Sequence, residues 1–191
     1  MIRHKLQTAI DKRASLLNVS TDALRLIDGE GDGLPGLYLD TLAGRWLVST
    51  TASELDTEVL TWLKGQGDKG RTIYWKQLDQ HEKTNPTHIA GPSQDEAFII
   101  KESGVDYLID FQSGYSQGIF LDQRLNRQRV RAHSKHGTTV LNTFAYTGAF
   151  SVCAALAGAT TTTLDLSQVY LDWARNHFSI NDMDPNDHYF C

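Results

Sequence analysis

Ile2, Leu6, Ile10, Arg13 and Leu17 recur at near-helical spacing, which predicts an amphipathic helix over 2–19 with Leu16 also turned inward. Arg25-Leu-Ile reads as a short strand. It runs into Asp28-Gly-Glu-Gly-Asp-Gly-Leu-Pro-Gly36, where four glycines and a proline in nine residues mark an ordered turn. Leu37–Thr41 and Arg45–Thr50 form a hairpin around Ala43-Gly44, and Glu54–Lys64 is helical, with Leu55, Val59, Leu60 and Leu63 on one side. Thr72–Leu78 is a strand, and the polar stretch 79–95, with Pro86 and Pro92, is a loop. A second hairpin, Ala97–Lys101 with Val105–Phe111, turns at Ser103-Gly104.

Phe120–His133 is helical, with Leu121, Leu125 and Val130 apolar and arginines elsewhere. The pattern changes after Gly137. Then come a buried strand at Thr138–Phe144, a turn at Ala145–Gly148 and a small-residue helix at Ala149–Ala157. A second strand spans Thr160–Leu166. Ser167 caps a helix over Gln168–Ile180, and a third strand begins at His188. This β-α-β-α-β order implies a parallel sheet with right-handed crossovers. The fold class is α/β: an α+β subdomain over 1–115, a linker near 112–118, and a partial Rossmann-like unit over 116–191.

Length and composition agree with that organisation. At about 150 residues per domain, 191 residues allow one or two domains. With 40% apolar and 21% charged residues, the composition is ordinary for a globular chain and excludes disorder, collagen and a disulfide scaffold. The net charge of −5 argues against a wholly basic nucleic-acid binder. Two cysteines, Cys153 and Cys191, and no apolar segment in the first twenty residues fit a reducing cytoplasm. Residues 137–164 carry no formal charge, yet eight threonines against seven Leu, Ile, Val or Phe are too polar for a membrane span.

The candidate chemistry lies in Val140-Leu-Asn-Thr-Phe-Ala-Tyr-Thr-Gly-Ala-Phe-Ser151 and Leu164-Asp-Leu-Ser167. A strand enters a glycine turn and opens a helix, and the next strand ends in an acid 17 residues after Gly148. In open α/β sheets ligands sit beyond the carboxyl ends of the strands. Gly148 allows close backbone approach, and Asp165 is placed to accept both ribose hydroxyls. No G-x-G-x-x-G is present, so a pyrophosphate is disfavoured. A nucleoside cofactor without one points to S-adenosylmethionine.

These segments resemble class I S-adenosylmethionine-dependent methyltransferases of the large-subunit ribosomal RNA type, including the cytosine-C5 enzymes. The resemblance rests on Arg25–Asp40, on Phe120-Leu-Asp-Gln-Arg-Leu-Asn-Arg127, on Asn142–Ser151, and on Asp165-Leu-Ser with Trp173-Ala and Asn181. It implies that Asn142, Phe144, Tyr146, Thr147 and Gly148 wall the methionine part of the cofactor. It places Asp165 on the ribose with Ser167 beside it, and Phe120, Gln123 and Arg124 along the pocket. It also implies an RNA substrate, ribosomal in type, and a cytoplasmic enzyme without a metal. Three departures stand out. No PUA-type module precedes the first helix. Ser116-Gln117 stand where relatives carry Lys-Thr. The adenine-side acid, the Asp-Pro-Pro motif and the catalytic cysteine that follow in the family are missing after Cys191. The expected sheet therefore holds only its third, second and first strands, with the first exposed as an edge, as in a shortened chain with little activity alone. Cys191 is not the family's nucleophile.

Other patterns compete. A non-catalytic cofactor- or RNA-binding module fits the same segments. Gly114-Tyr-Ser-Gln-Gly118 matches the nucleophile elbow of a serine hydrolase using Ser116, with Asp165 and His177 or His188 as partners, but no oxyanion segment lies upstream. Asp28–Gly33 resembles a calcium loop, yet Leu39 stands where a bidentate Glu is required. His133 and His136, like His81 and His88, read as surface histidines. Over 122–136, five cations against Asp122 give a local +4, a stripe suited either to phosphates or to solvent.

Overall fold

The structure, a computed structural model, describes residues 1–78, 84–114 and 116–191. It divides into two compact units. One comprises Met1–Lys101 with Asp110–Gln117, the other Glu102–Ile109 with Gly118–Cys191.

The first unit is built on five strands in the order β1 (Ala23–Asp28), β2 (Leu37–Leu42), β3 (Arg45–Thr50), β4 (Ile73–Gln77) and β5 (Thr87–Ala90). The β3–β4 pair is parallel because helix α2 (Thr57–Gly67) makes the return crossover, and the other pairs are antiparallel. Helix α1 (Ile2–Ala14) and α2 contribute Leu6, Val59 and Leu63 to a core shared with Leu26, Leu39 and Val48. Each such side chain contributes about 1.5–3 kcal/mol on burial.

Several boundaries differ from the periodicity. α1 stops at Ala14, and Leu16 faces solvent, since residues 18–21 close a mutual Asn18–Thr21 backbone bridge instead. α2 starts at Thr57 rather than Glu54 because the Asp56 carboxylate accepts the N–H groups of Glu58 and Val59. β5 lies within the stretch expected to be a loop. Its sequence, Thr-His-Ile-Ala, shows no alternation, and pairing with β4 decides its conformation. Residues 79–83 of that stretch lie outside the described residues.

Strands β6 (Phe98–Glu102) and β7 (Val105–Ile109) form a separate two-stranded ladder. Ser103 and Gly104 take φ of 54° and 75°, the left-handed pair that a two-residue hairpin turn requires.

In the second unit a 3₁₀ turn (Leu121–Gln123) leads into helix α3 (Arg124–His133). Then follow β8 (Thr139–Thr143), α4 (Ala149–Leu156), β9 (Thr160–Leu164), α5 (Gln168–Ser179) and β10 (Tyr189–Phe190). The sheet is fully parallel, in the order β10-β9-β8. This is the expected third-second-first arrangement, and it leaves β8 at an edge. The expectation that β8 is buried does not hold. Its residues alternate between exposed and half-buried, and Leu141 is 65% exposed, because only β9 pairs with it among the described residues. The apolar positions of α3 do not mark its buried face. Leu125 is 61% exposed, and the residue turned inward is Arg127. No helix among the described residues is long and apolar enough to cross a membrane.

Candidate cofactor site

The turn between β8 and α4 carries three left-handed residues: Phe144 (φ 54°), Tyr146 (φ 51°) and Gly148 (φ 71°). Only the glycine adopts this conformation freely. Bulky side chains there cost about 1–3 kcal/mol each unless the surroundings hold them. Here they are held. Ala145 N–H donates to Leu164 O at 3.0 Å, and Gly148 N–H to Ala145 O at 2.9 Å. Tyr146 N–H donates to Asp165 Oδ2 at 2.8 Å, and Gly118 N–H to the Tyr146 hydroxyl at 2.9 Å. Thr147 Oγ1 donates back to Gly118 O at 2.6 Å. Gly148 caps α4, and a Cβ there would lie 2.7 Å from Ala174 Cβ, so the glycine is required both for its conformation and for close packing.

Beside this turn lies a cavity of about 190 Å³. Six of the residues expected at a cofactor line it: Phe120, Gln123, Asn142, Phe144, Tyr146 and Thr147. Arg124, Gly148, Asp165 and Ser167 do not. Gly148, the N-cap of α4, lies in the chain between the lining residues Thr147 and Ala149. Asp165 is half-buried at the end of β9, where Oδ1 accepts the Ser167 N–H at 3.0 Å and Oδ2 accepts Tyr146. Each carboxylate oxygen retains a further lone pair. The Ser167 hydroxyl accepts the Tyr170 N–H and caps α5. Arg124 opens α3 with its Nε buried and without a partner among the described residues. Asn142, on the cavity wall, donates Nδ2–H to Ser151 Oγ at 3.0 Å. Phe120 and Tyr146 face each other with ring centroids 5.2 Å apart.

The donor set fits S-adenosylmethionine. An acid at the strand end, a glycine turn, aromatic walls and an amide oxygen suit a ribose, a main-chain-contacting amino acid and a sulfonium. Ligand pockets span about 300–1,000 Å³, so a cavity of about 190 Å³ has room for only a part of such a cofactor.

Two buried groups near the cavity escaped the sequence reading as site features. Arg127, read there as part of a basic stripe, is 2% exposed and lines the cavity. Its Nε and Nη2 donate to the two oxygens of Glu102, both at 2.8 Å, and Nη1 donates to Phe120 O at 2.9 Å. Burial opposes the charge of Arg127, but the Glu102 bonds outweigh it and push the guanidinium pKa up. Glu102 sits 25 residues away in sequence, so no local signal pairs them. The second is His177, which the sequence offered only as a hydrolase partner. It is fully buried, with Nδ1 2.9 Å from Thr147 O and Nε2 2.9 Å from Leu108 N. Burial pushes its pKa down to about 4, against these two main-chain contacts.

That placement removes the base required by the Ser116 hydrolase reading. Both ring nitrogens of His177 are spent on the backbone, and His188 Nδ1 accepts from Thr161 N–H at 3.2 Å. The calcium-like loop is likewise occupied. The Asp32 carboxylate bonds Arg13 at 2.8 Å and accepts the Asp28 N–H, and these contacts hold its pKa below the ordinary range although burial pushes the other way. His133 and His136 are exposed, as expected; His81 lies outside the described residues.

Comparison with known proteins accords with this geometry. Residues 51–190 match the family model described as S-adenosylmethionine-dependent methyltransferase. The chain is 36% identical over 193 residues to YwbD of Bacillus subtilis (strain 168), named as a candidate ribosomal RNA large subunit methyltransferase; the match covers 96% of this chain and 48% of YwbD. It is 33% identical over 192 residues to ribosomal RNA large subunit methyltransferase I of Alteromonas mediterranea, covering 94% and 47%. The crystal structure of SMU.776, a candidate methyltransferase complexed with SAH, superposes with a TM-score of 0.87 at 32% identity, over 98% of this chain and 50% of that one. The chain thus spans about half the length of the curated relatives it matches. Sequence motifs, fold and these matches agree: the chain belongs to the S-adenosylmethionine-dependent methyltransferase family.

Proposed function

We propose that this chain carries the first half of the cofactor site of a cytoplasmic methyltransferase acting on RNA, ribosomal in type. Residues 1–115 form its accessory subdomain and 116–191 its cofactor-holding part. The observation that carries the reading is the Asp165–Tyr146 bond, which places a carboxylate with free lone pairs against the left-handed turn beside the cavity. Asn142, Phe144, Tyr146, Thr147 and Gly148 hold the amino-acid part of S-adenosylmethionine. Asp165 takes the ribose hydroxyls with Ser167 beside it, and Phe120, Gln123 and Arg124 form the facing wall. When bound, the cofactor supplies a methyl group on a positively charged sulfur. The aromatic faces of Phe120 and Tyr146 suit that charge. The RNA substrate follows from what the named relatives act on.

A second element of the reading is that these 191 residues bind cofactor but turn over little by themselves, and the small volume of the cavity, about 190 Å³, suits a partial cofactor site. Calorimetric titration of the chain with S-adenosylmethionine and with its product homologue tests the first point. Saturable binding that Asp165→Ala abolishes supports it, and absence of binding by the folded chain refutes it. Methyl transfer to ribosomal RNA by the chain alone, at rates typical of an enzyme, would overturn the second.

A further inference from the structure

We infer that His177 is a positioning residue for the cofactor turn, acting through the Thr147 peptide; the role in binding rests on the methyltransferase reading above. The geometry fixes the imidazole tautomer. Leu108 N–H can only donate, so Nε2 accepts it at 2.9 Å. The Leu108 carbonyl, 3.4 Å from Nε2, already accepts Trp173 Nε1–H at 3.2 Å. The proton is therefore on Nδ1, and it is donated to Thr147 O at 2.9 Å.

Thr147 lies between two left-handed residues, Tyr146 and Gly148. A trans peptide is planar, so fixing the Thr147 carbonyl also fixes the opposed N–H of Gly148. That N–H in turn closes the turn on Ala145 O at 2.9 Å. Two successive groups of the turn are thus held from one stretch of chain. Asp165, two residues ahead of the α5 cap, holds Tyr146 N–H, and His177, in the last turns of α5, holds Thr147 C=O. α5 sets the turn against the cavity as a rigid unit, and His177 is its second grip. With a pKa near 4 the ring stays neutral at ordinary pH, which preserves the acceptor at Nε2.

Three variants separate this role from mere core filling. In His177→Asn the amide nitrogen takes the place of Nδ1–H and retains the donor to Thr147. In His177→Gln the amide reaches the Nε2 position and loses that donor. His177→Phe keeps the ring and loses both bonds. Binding of S-adenosylhomocysteine is measured by calorimetry, and exchange of the Gly148 amide by NMR on the cofactor-free chain. The expected result is affinity within threefold of the parent for His177→Asn. For Gln and Phe, affinity falls at least tenfold and Gly148 exchange rises at least tenfold, although the Asn and Gln variants melt at similar temperatures. Equal loss in all three variants, tracking melting temperature, would overturn the inference. So would unchanged Gly148 exchange in the Gln and Phe variants. If the parent chain takes up no S-adenosylhomocysteine, the cofactor reading fails, and Gly148 exchange alone decides the role of His177.

Discussion

Asp165 holds the main-chain N–H of Tyr146 at 2.8 Å with one carboxylate oxygen while the other accepts Ser167 N–H at 3.0 Å. A single side chain therefore ties the end of β9 to the turn after β8 and to the start of α5. Removing it leaves two amides without their charged acceptor. Hydrogen bonds to charged groups contribute about 1.5–3 kcal/mol each, less where water replaces the partner. Asp165→Ala is expected to lower stability by about 2 kcal/mol in urea denaturation and to abolish calorimetric cofactor binding. Asp165→Asn keeps one good acceptor. It should recover part of the stability and little of the affinity, because the proposed ribose contact uses both carboxylate oxygens as acceptors and the amide offers one. Full affinity in Asp165→Asn would exclude a ribose contact.

The Arg127–Glu102 pair makes a different prediction. Breaking a buried ion pair from one side costs about 3–5 kcal/mol, because the other charge is stranded. Glu102→Gln and Arg127→Met should each destabilise on that scale, the latter also releasing Phe120 O. Replacing both partners with apolar residues, Glu102→Leu with Arg127→Met, should regain most of the loss in the same denaturation experiment. A double variant as unstable as the sum of the singles would show that the pair is not an isolated unit.

Gly148→Ala meets two obstacles: a positive φ and a Cβ 2.7 Å from Ala174 Cβ. The conformational part costs about 1 kcal/mol or more for a residue with a Cβ. Adding Ala174→Gly opens the space but not the dihedral angle. The double variant is expected to melt above Gly148→Ala and below the parent, once the helix cost of the new glycine, about 1 kcal/mol, is measured in Ala174→Gly alone.

His177 also predicts a pH dependence. Its pKa falls from the ordinary 6.5 to about 4 through burial. The unfolded chain takes up a proton as pH drops through 6.5, while the folded chain refuses it until about 4. Stability is therefore highest above pH 6.5, declines between 6.5 and 4, and levels off below. At about 1.4 kcal/mol per pKa unit the full effect reaches at most about 3.5 kcal/mol. Urea midpoints across that range should fall more steeply for the parent than for His177→Asn. Parallel slopes would mean that the ring is already accessible to protons.

Much of the cofactor turn was legible in one dimension. The run from Val140 to Ser151 announces a strand, a glycine turn and a helix, and the structure has β8, Gly148 as N-cap and α4. Ser167 caps α5 as its residue type predicts. The positive φ of Phe144 and Tyr146 was not legible. No local preference puts an aromatic residue there, and bonds from Gly118 and Asp165 hold Tyr146 against its intrinsic cost. The same limit applies to α3. Its apolar positions do not mark the buried face: Leu125 faces solvent, and Arg127 turns inward onto Glu102.

What the sequence determined by itself is the succession of elements and the acid at the end of the second strand. Periodicity, turn residues and caps act within a few positions of the chain, and the parallel β-α-β-α-β order follows from them. Tertiary structure alone decided which polar groups enter the interior. Arg127 finds Glu102 25 residues away, and His177 finds Thr147 30 residues away. A buried charge or imidazole is tolerated only where a partner meets it, and here Glu102 ends β6 and Thr147 sits in the turn before α4, so each partner is fixed by the folding of the chain, not by any neighbour in sequence.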